Sequence, residues 1–259
     1  MSGIHPAANL AVSRILVDFR DDLGNRKTIS GTGFWLVERY ATYFITNRHC
    51  VDPTLGLGPS TSYRIEALRV LLREQEGVDR WLPNTEFALV DNLATCLNCH
   101  PSADVAVLKQ PEYSSMFGHS YFSIEELATE EFLSEVMHPM DVASFFGYPG
   151  QDGSEWWDTE WNVAIARTAY LSSWPGIPFR NASVPTSDVT VVNGLSFSGS
   201  SGSPILSHQK PQPLGAPFSP PRILGIMSGH WWDNAADRPM FAHSGFSYFT
   251  RATAIREVL

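Results

Sequence analysis

The stretch Phe197-Ser198-Gly199-Ser200-Ser201-Gly202-Ser203-Pro204 constrains this chain more than any other. Its side chains are too small to build a core, yet β-formers hem it in: Val189, Val191 and Val192 before, Ile205 and Leu206 after. A Gly/Ser linker lacks such flanks, so the stretch reads as a tight turn between two strands. Gly199 and Gly202 permit backbone conformations that aim several N–H groups at one point beside the Ser201 hydroxyl. A hydroxyl next to convergent donors suits acyl transfer, because the attacked carbonyl oxygen becomes negative and needs donors already in place. That hydroxyl also needs a base.

Bulk properties narrow the classes of partner. A chain of 259 residues is long enough for one large domain or two compact halves with a sizeable core. Its formal net charge of −9, with no Lys/Arg block, argues against nucleic acid or an anionic membrane surface as partner. No apolar run approaches the roughly 20 residues that span a bilayer. The start Met1-Ser2-Gly3-Ile4-His5-Pro6 has neither the basic nor the apolar region of a secretion signal. Cys50, Cys96 and Cys99 are too few, and odd in number, for a disulfide scaffold. The expectation is a reduced, cytoplasmic protein.

Strand-like runs recur at 10–19, 28–37, 40–46, 63–73, 81–90 and 104–108, and again at 141–146, 161–171, 188–192, 204–207, 222–227 and 241–249. Turn clusters separate them, and residues 210–221 form a Pro-rich loop. One stretch, 123–137, has helical spacing, with Ser123 placed to cap it and Glu126 three residues later. Residues 252–259 close as a short helix. Many short strands with few helices indicate an all-β sandwich or pair of barrels.

Among eight histidines, His49 stands out because it ends an apolar strand. Asp104 stands out among the acids because it opens one, where an unpaired carboxylate is costly to bury. Singly, each has a plainer reading: a strand-end histidine, an N-capping aspartate, a flexible Ser-Gly loop. Two side signals are weaker. Cys96-Leu97-Asn98-Cys99-His100 matches the c-type haem attachment pattern, but as a single copy just before a strand it reads as loop; a zinc site there lacks a fourth ligand. No metal or cofactor is expected. Trp156, Trp157, Trp161, Trp174, Trp231 and Trp232 divide between filling the fold and lining a crevice, with Trp231-Trp232 the better lip.

In combination these segments resemble the chymotrypsin-like (trypsin-fold) serine peptidases, in particular bacterial trypsin-like peptidase domains. Thr46-Asn47-Arg48-His49-Cys50 is similar to that family's segment around its catalytic histidine. Ser102 to Leu108 resembles its Asp-Ile-Ala-Leu-Leu segment, and Gly199 to Pro204 its Gly-Asp-Ser-Gly-Gly-Pro. The order His, Asp, Ser is the family's. Gly31-Thr32-Gly33-Phe34, Leu224-Gly225-Ile226-Met227-Ser228 and Phe249-Thr250-Arg251 add to the match, which runs from about Ser13 to Leu259.

The resemblance implies an all-β protein of two packed six-stranded antiparallel barrels with a short C-terminal helix. It would be a single domain over 1–259, divided into 1–122, a helical linker 123–138, and 139–259. His49, Asp104 and Ser201 would be the catalytic residues of a serine endopeptidase, with an oxyanion hole from the N–H groups of Gly199 and Ser201. Ser228 would lie on a strand that pairs with the substrate backbone. Leu195 would floor the P1 pocket, with Ser196, Gly229, His230 and Ser247 near its walls; lacking a charge, Leu195 favours an apolar P1 residue. The second expectation is an acidic P1 residue read by His230 and Ser196. Two departures matter. Ser200 stands where secreted members carry the aspartate that binds a freed N-terminus, so activation by clipping is not expected. Cys50 has no partner cysteine near Gly31, so the histidine-loop disulfide should be absent. A protein or peptide substrate is implied, with room for a regulatory protein partner. The alternatives are a catalytically silent trypsin-fold module that binds peptides or proteins, and an esterase with the same residues.

Overall fold

The computed structural model describes residues 8–76, 80–113, 120–151, 154–181, 188–209, 220–233 and 242–259. Its first sheet comprises β1 (Val12–Arg20), β2 (Arg26–Glu38), β3 (Ala41–Thr46), β4 (Arg64–Glu76), β5 (Arg80–Asp91), β6 (Leu97–Cys99), β7 (Ala106–Lys109), β8 (Glu112–Tyr113) and β9 (Phe122–Ser123). They run in the order β6-β7-β3-β2-β1-β4-β5-β8, with β9 joined to β2 in parallel. The second half holds β10 (Val142–Gly147), a small hairpin of β11 (Gly150–Gln151) and β12 (Ser154–Glu155), then β13 (Ile165–Leu171), β14 (Val189–Asn193), β15 (Pro204–Ser207), β16 (Ile223–Asp233) and β17 (Ala242–Arg251). Six of these close into a barrel, β10-β13-β14-β17-β16-β15.

The second half is thus the six-stranded barrel expected. The first is instead a curled sheet of nine strands that stops short of closure. Its edge strand β8 holds β5 through only two residue pairs, and among the described residues no ladder joins β8 to β6.

Period-two alternation explains how the halves join. On β2, β3 and β7 with the residue just ahead of it, one face carries Phe34, Leu36, Tyr43, Ile45, Val105 and Val107, and the other Trp35, Phe44, Ala106 and Leu108. The first set merges with Phe145, Ile205, Ile226 and Phe249 of the barrel into one core; the second packs inside the curled sheet with Ile15, Val17 and Leu68. Strands buried on both faces must be apolar at every position, and these read as continuous hydrophobic runs. The loops at their ends therefore open at the junction of the two halves.

The stretch 123–137 departs from the expected helix. The capping contacts form, with Ser123 N–H donating to Glu126 Oε2 (2.6 Å) and Glu125 N–H to Ser123 Oγ (3.2 Å). They close only one turn, Ile124–Glu126, because Leu127 goes extended to bridge Ile223 and bury its side chain. A π-helical turn follows at Phe132–Val136. The short C-terminal helix is Ala252–Arg256.

Candidate active site

His49 lies just beyond β3, in the single helical turn Arg48–Val51, and Asp104 just ahead of β7. Because β3 and β7 are paired neighbours, their ends bring the two side chains together. His49 Nδ1 is 2.7 Å from Asp104 Oδ2, and the His49 backbone N–H donates to Oδ1 at 2.9 Å. The Asp104 carboxylate is buried, so both oxygens are occupied by one residue. Burial of the imidazole works against its protonation, but the Asp104 carboxylate, with a smaller contribution from Cys50, outweighs that and holds its pKa well above the usual 6.5.

Neighbouring side chains fix this pair. Asn47 Nδ2 donates to the Asp104 carbonyl (2.8 Å) and to Ser228 Oγ (3.0 Å). Arg48 is paired with Asp52 and donates to the carbonyls of His100 and Pro101, strapping the helical turn to the loop before Asp104. His100 accepts from the N–H of Ser102 and Ala103 at Nδ1 and meets Glu257 at Nε2 (2.9 Å), so it organises that loop. Among the described residues no group of His, Cys, Asp and Glu is placed to hold a metal ion.

Ser201 sits on the turn between β14 and β15. Thr32 N–H donates to its carbonyl (2.7 Å), and a Cβ on Gly31 would lie 3.1 Å from Cys50 Sγ and 3.4 Å from that carbonyl. Gly31 is therefore the point where the turn carrying His49 meets the turn carrying Ser201. No hydrogen bond joins the Ser201 hydroxyl to His49, and among the described residues the hydroxyl has no partner.

The peptide planes around Ser201 are fixed from behind. The Ser198 carbonyl accepts from Gly150 N–H (2.9 Å) and the Ser200 carbonyl from Ser203 N–H (3.0 Å). The Gly199 carbonyl accepts from Thr32 Oγ1 (2.6 Å). In a trans peptide the N–H points opposite to the C=O. The N–H groups of Gly199 and Ser201 consequently face the other way, and neither has a hydrogen-bond acceptor among the described residues. Gly199 has φ +81°, and a Cβ there would meet the Tyr148 carbonyl at 2.3 Å; Gly202 has φ +93°, and a Cβ would meet the Thr32 carbonyl at 1.7 Å. Only glycine fits either position.

Beside Ser201 lies a cavity of about 180 Å³, lined by Ser196, Phe197, Ser200, Met227, Gly229, His230 and Tyr248 among others. Leu195 is not part of it. Expected at the floor, it is half exposed outside, where its carbonyl accepts from Arg167. Ser247 is fully buried behind the wall and ties Gly194 and Ser196 together. Ser228 is buried too, its hydroxyl shared among Asn47, Ile226 and Thr250. His230 stacks on His243 at 4.6 Å and contacts Ser196 Oγ through Nδ1 (3.2 Å). Burial, together with the adjacent imidazole, pushes the His230 pKa down to about 4, and burial lowers that of His243. Trp156 packs edge-on against Phe197, and the Trp231 ring lies tilted against Tyr248; Trp157 is buried against Tyr148. The side chain of Trp232 and residues 210–219 fall outside what the structure describes.

Sequence reasoning did not single out Thr32, Asn47 or Arg167. Thr32, in the middle of β2, and Asn47, just beyond β3, fall inside segments quoted for the resemblance but carry no signal of their own. Arg167 had one: in Ile165-Ala166-Arg167-Thr168-Ala169-Tyr170-Leu171 it shares the inward phase with Ile165, Ala169 and Leu171, a charge where alternation calls for an apolar residue.

No family model matches the sequence, and no curated protein matches it. Solved structures are similar. Deg5 aligns with a TM-score of 0.52 and 13% identity over 97% of this chain and 88% of that one. The inactive form of the Rv3671c protease aligns at 0.48 and 18% over 98% and 89%, and the serine endoprotease from Yersinia pestis at 0.47 and 14% over 97% and 62%. At such low identity the likeness to Deg5 is one of architecture. The curled sheet and closed barrel, packed on a common core, have the trypsin-like fold.

Proposed function

We propose that the chain is a serine endopeptidase. His49 takes the Ser201 proton as the hydroxyl attacks the scissile carbonyl and returns it to the leaving amine, while Asp104 holds the ring and stabilises the imidazolium. The N–H groups of Gly199 and Ser201 receive the oxyanion. The observation that carries the reading is the orientation of those two peptide planes: their carbonyls are occupied from behind and their N–H groups are left without acceptors beside a hydroxyl. In acyl transfer such donors stabilise the oxyanion, and the adjacent hydroxyl supplies the nucleophile. The missing bond between Ser201 and His49 is compatible, since catalytic hydrogen bonds often tighten only with substrate present.

The β15 ladder along β16 ends at Ile226, and Met227 is still held on that side by Gly202 and Ser203. Beyond them, Ser228 and Gly229 offer that edge of β16 to an extended peptide. The P1 residue is apolar, contacting Phe197, Met227 and Tyr248 in place of the displaced Leu195. An acidic P1 residue is disfavoured because burial keeps both imidazoles uncharged at neutral pH. Cleavage profiling on a peptide library dominated by Glu, Lys or Arg at P1 refutes this preference. Cys50, Cys96 and Cys99 are all free, which suits a reducing compartment such as the cytoplasm.

A fluorophosphonate probe tests the activity: labelling of the wild type that is lost in Ser201→Ala supports it. Folded wild type that takes no label refutes it in favour of a silent binding module. Parallel turnover of peptide and ester substrates separates peptidase from esterase.

A further inference from the structure

The side chain of Arg167 enters the fold from β13 and ends behind the turn that carries Ser201. Its ladder partner on β10 is Phe145, and the guanidinium lies over that ring at 4.4 Å. It donates to Ser200 Oγ (2.9 Å) and to the Leu195 carbonyl (3.3 Å). Ser200 Oγ also accepts from Phe197 N–H (3.1 Å), so one cation ties both ends of residues 195–200. Among the described residues no carboxylate pairs with Arg167, and its Nε is buried without a partner. Burial lowers its pKa to about 10, which leaves it charged at neutral pH.

Arg167 is half-buried, and a partly desolvated cation without a counter-ion is costly, so an apolar side chain of similar size often serves stability as well or better. Stability alone therefore gives no reason for Arg167. Its bonds give one. The Ser198, Gly199 and Ser200 carbonyls are each held by a separate donor, Ser247 holds Gly194 and Ser196, and Arg167 is what joins the Leu195 carbonyl to the Ser200 hydroxyl. If Ser200 moves, the peptide plane that supplies the Ser201 N–H moves with it.

We propose that Arg167 is a positioning residue for the reaction: it holds residues 195–200 so that the N–H groups of Gly199 and Ser201 stay aimed at the oxyanion. This rests on the peptidase reading above. Arg167 touches no reacting atom, so its loss weakens transition-state binding and leaves ground-state binding largely intact.

The test compares Arg167→Met, Arg167→Lys and Ser200→Ala with wild type in full-length protein. The measurements are kcat and KM on one peptide substrate, the fluorophosphonate labelling rate, and Tm. Removing one oxyanion donor typically costs on the order of 10²-fold, so R167M is expected to lose about that in kcat with KM within about threefold of wild type. R167K, which keeps the charge and one of the two bonds, is expected to recover about tenfold of the loss. S200A is expected to lose about tenfold in kcat with its Tm nearly unchanged, and it decides the matter should R167M fail to fold. Folded R167M or S200A with wild-type kcat and labelling rate overturns the proposal, as does an R167K no faster than R167M. Unlabelled wild type sinks the peptidase reading itself, whereas labelled wild type with an equally labelled R167M sinks only the role of Arg167.

Discussion

His49 is subject to two opposing influences, desolvation and the Asp104 carboxylate, and the carboxylate prevails. In the proposed peptidase His49 is the base and acts only when neutral, so kcat/KM should rise with pH through an apparent pKa above 6.5. Asp104→Asn removes the attraction but leaves the burial. Its acid limb should move to lower pH while kcat falls by roughly 10⁴-fold, and a profile from pH 5 to 9 on both proteins checks this. The same shift bears on stability in the opposite sense. Because the folded pKa is raised, the stabilisation is complete below the unfolded value of about 6.5. It is lost as pH rises through the folded value. Denaturant midpoints of wild type should thus decline across that window, and those of Asp104→Asn should not.

The turn 195–204 is the element on which the proposed activity rests. Gly202→Ala introduces a Cβ 1.7 Å from the Thr32 backbone carbonyl and 2.8 Å from Thr46 Oγ1 at φ +93°, so backbone must shift to admit it. It should cost at least about 3 kcal/mol by urea titration and abolish activity. A second element depends on Arg251, at the end of β17, which is buried and paired with Asp188 and Glu130 while donating to the Pro175 carbonyl. Arg251→Ala leaves Asp188 without its cation next to the C-terminal helix and should cost about 3–5 kcal/mol, read as a fall in Tm. Some of this was legible. The cap at Ser123 and Glu126 was readable because capping is a contact between residues three apart. The extent of the helix was not, because Leu127 answers to Ile223, almost a hundred positions away in the chain.

At the scale of the molecule, the shared core makes the division into 1–122, 123–138 and 139–259 a topological one, and we propose that the halves do not unfold independently. Phe249 is fully buried in the core that also holds Phe34 and Val105. Phe249→Ala should cost about 3–5 kcal/mol and shift one common transition. Separate shifts for signals from the two halves contradict this. The sequence by itself determined the strand-rich class and the Gly-Ser turn, because alternation and turn chemistry are local; it marked His49, Asp104 and Ser201 only through the resemblance of their segments to a known family. The tertiary structure alone decided that the first sheet stays open, that Leu195 lies outside the cavity, and that Arg167 stands behind Ser200. Each of these depends on which distant strand supplies the neighbour, and spacing along the chain carries no record of that pairing.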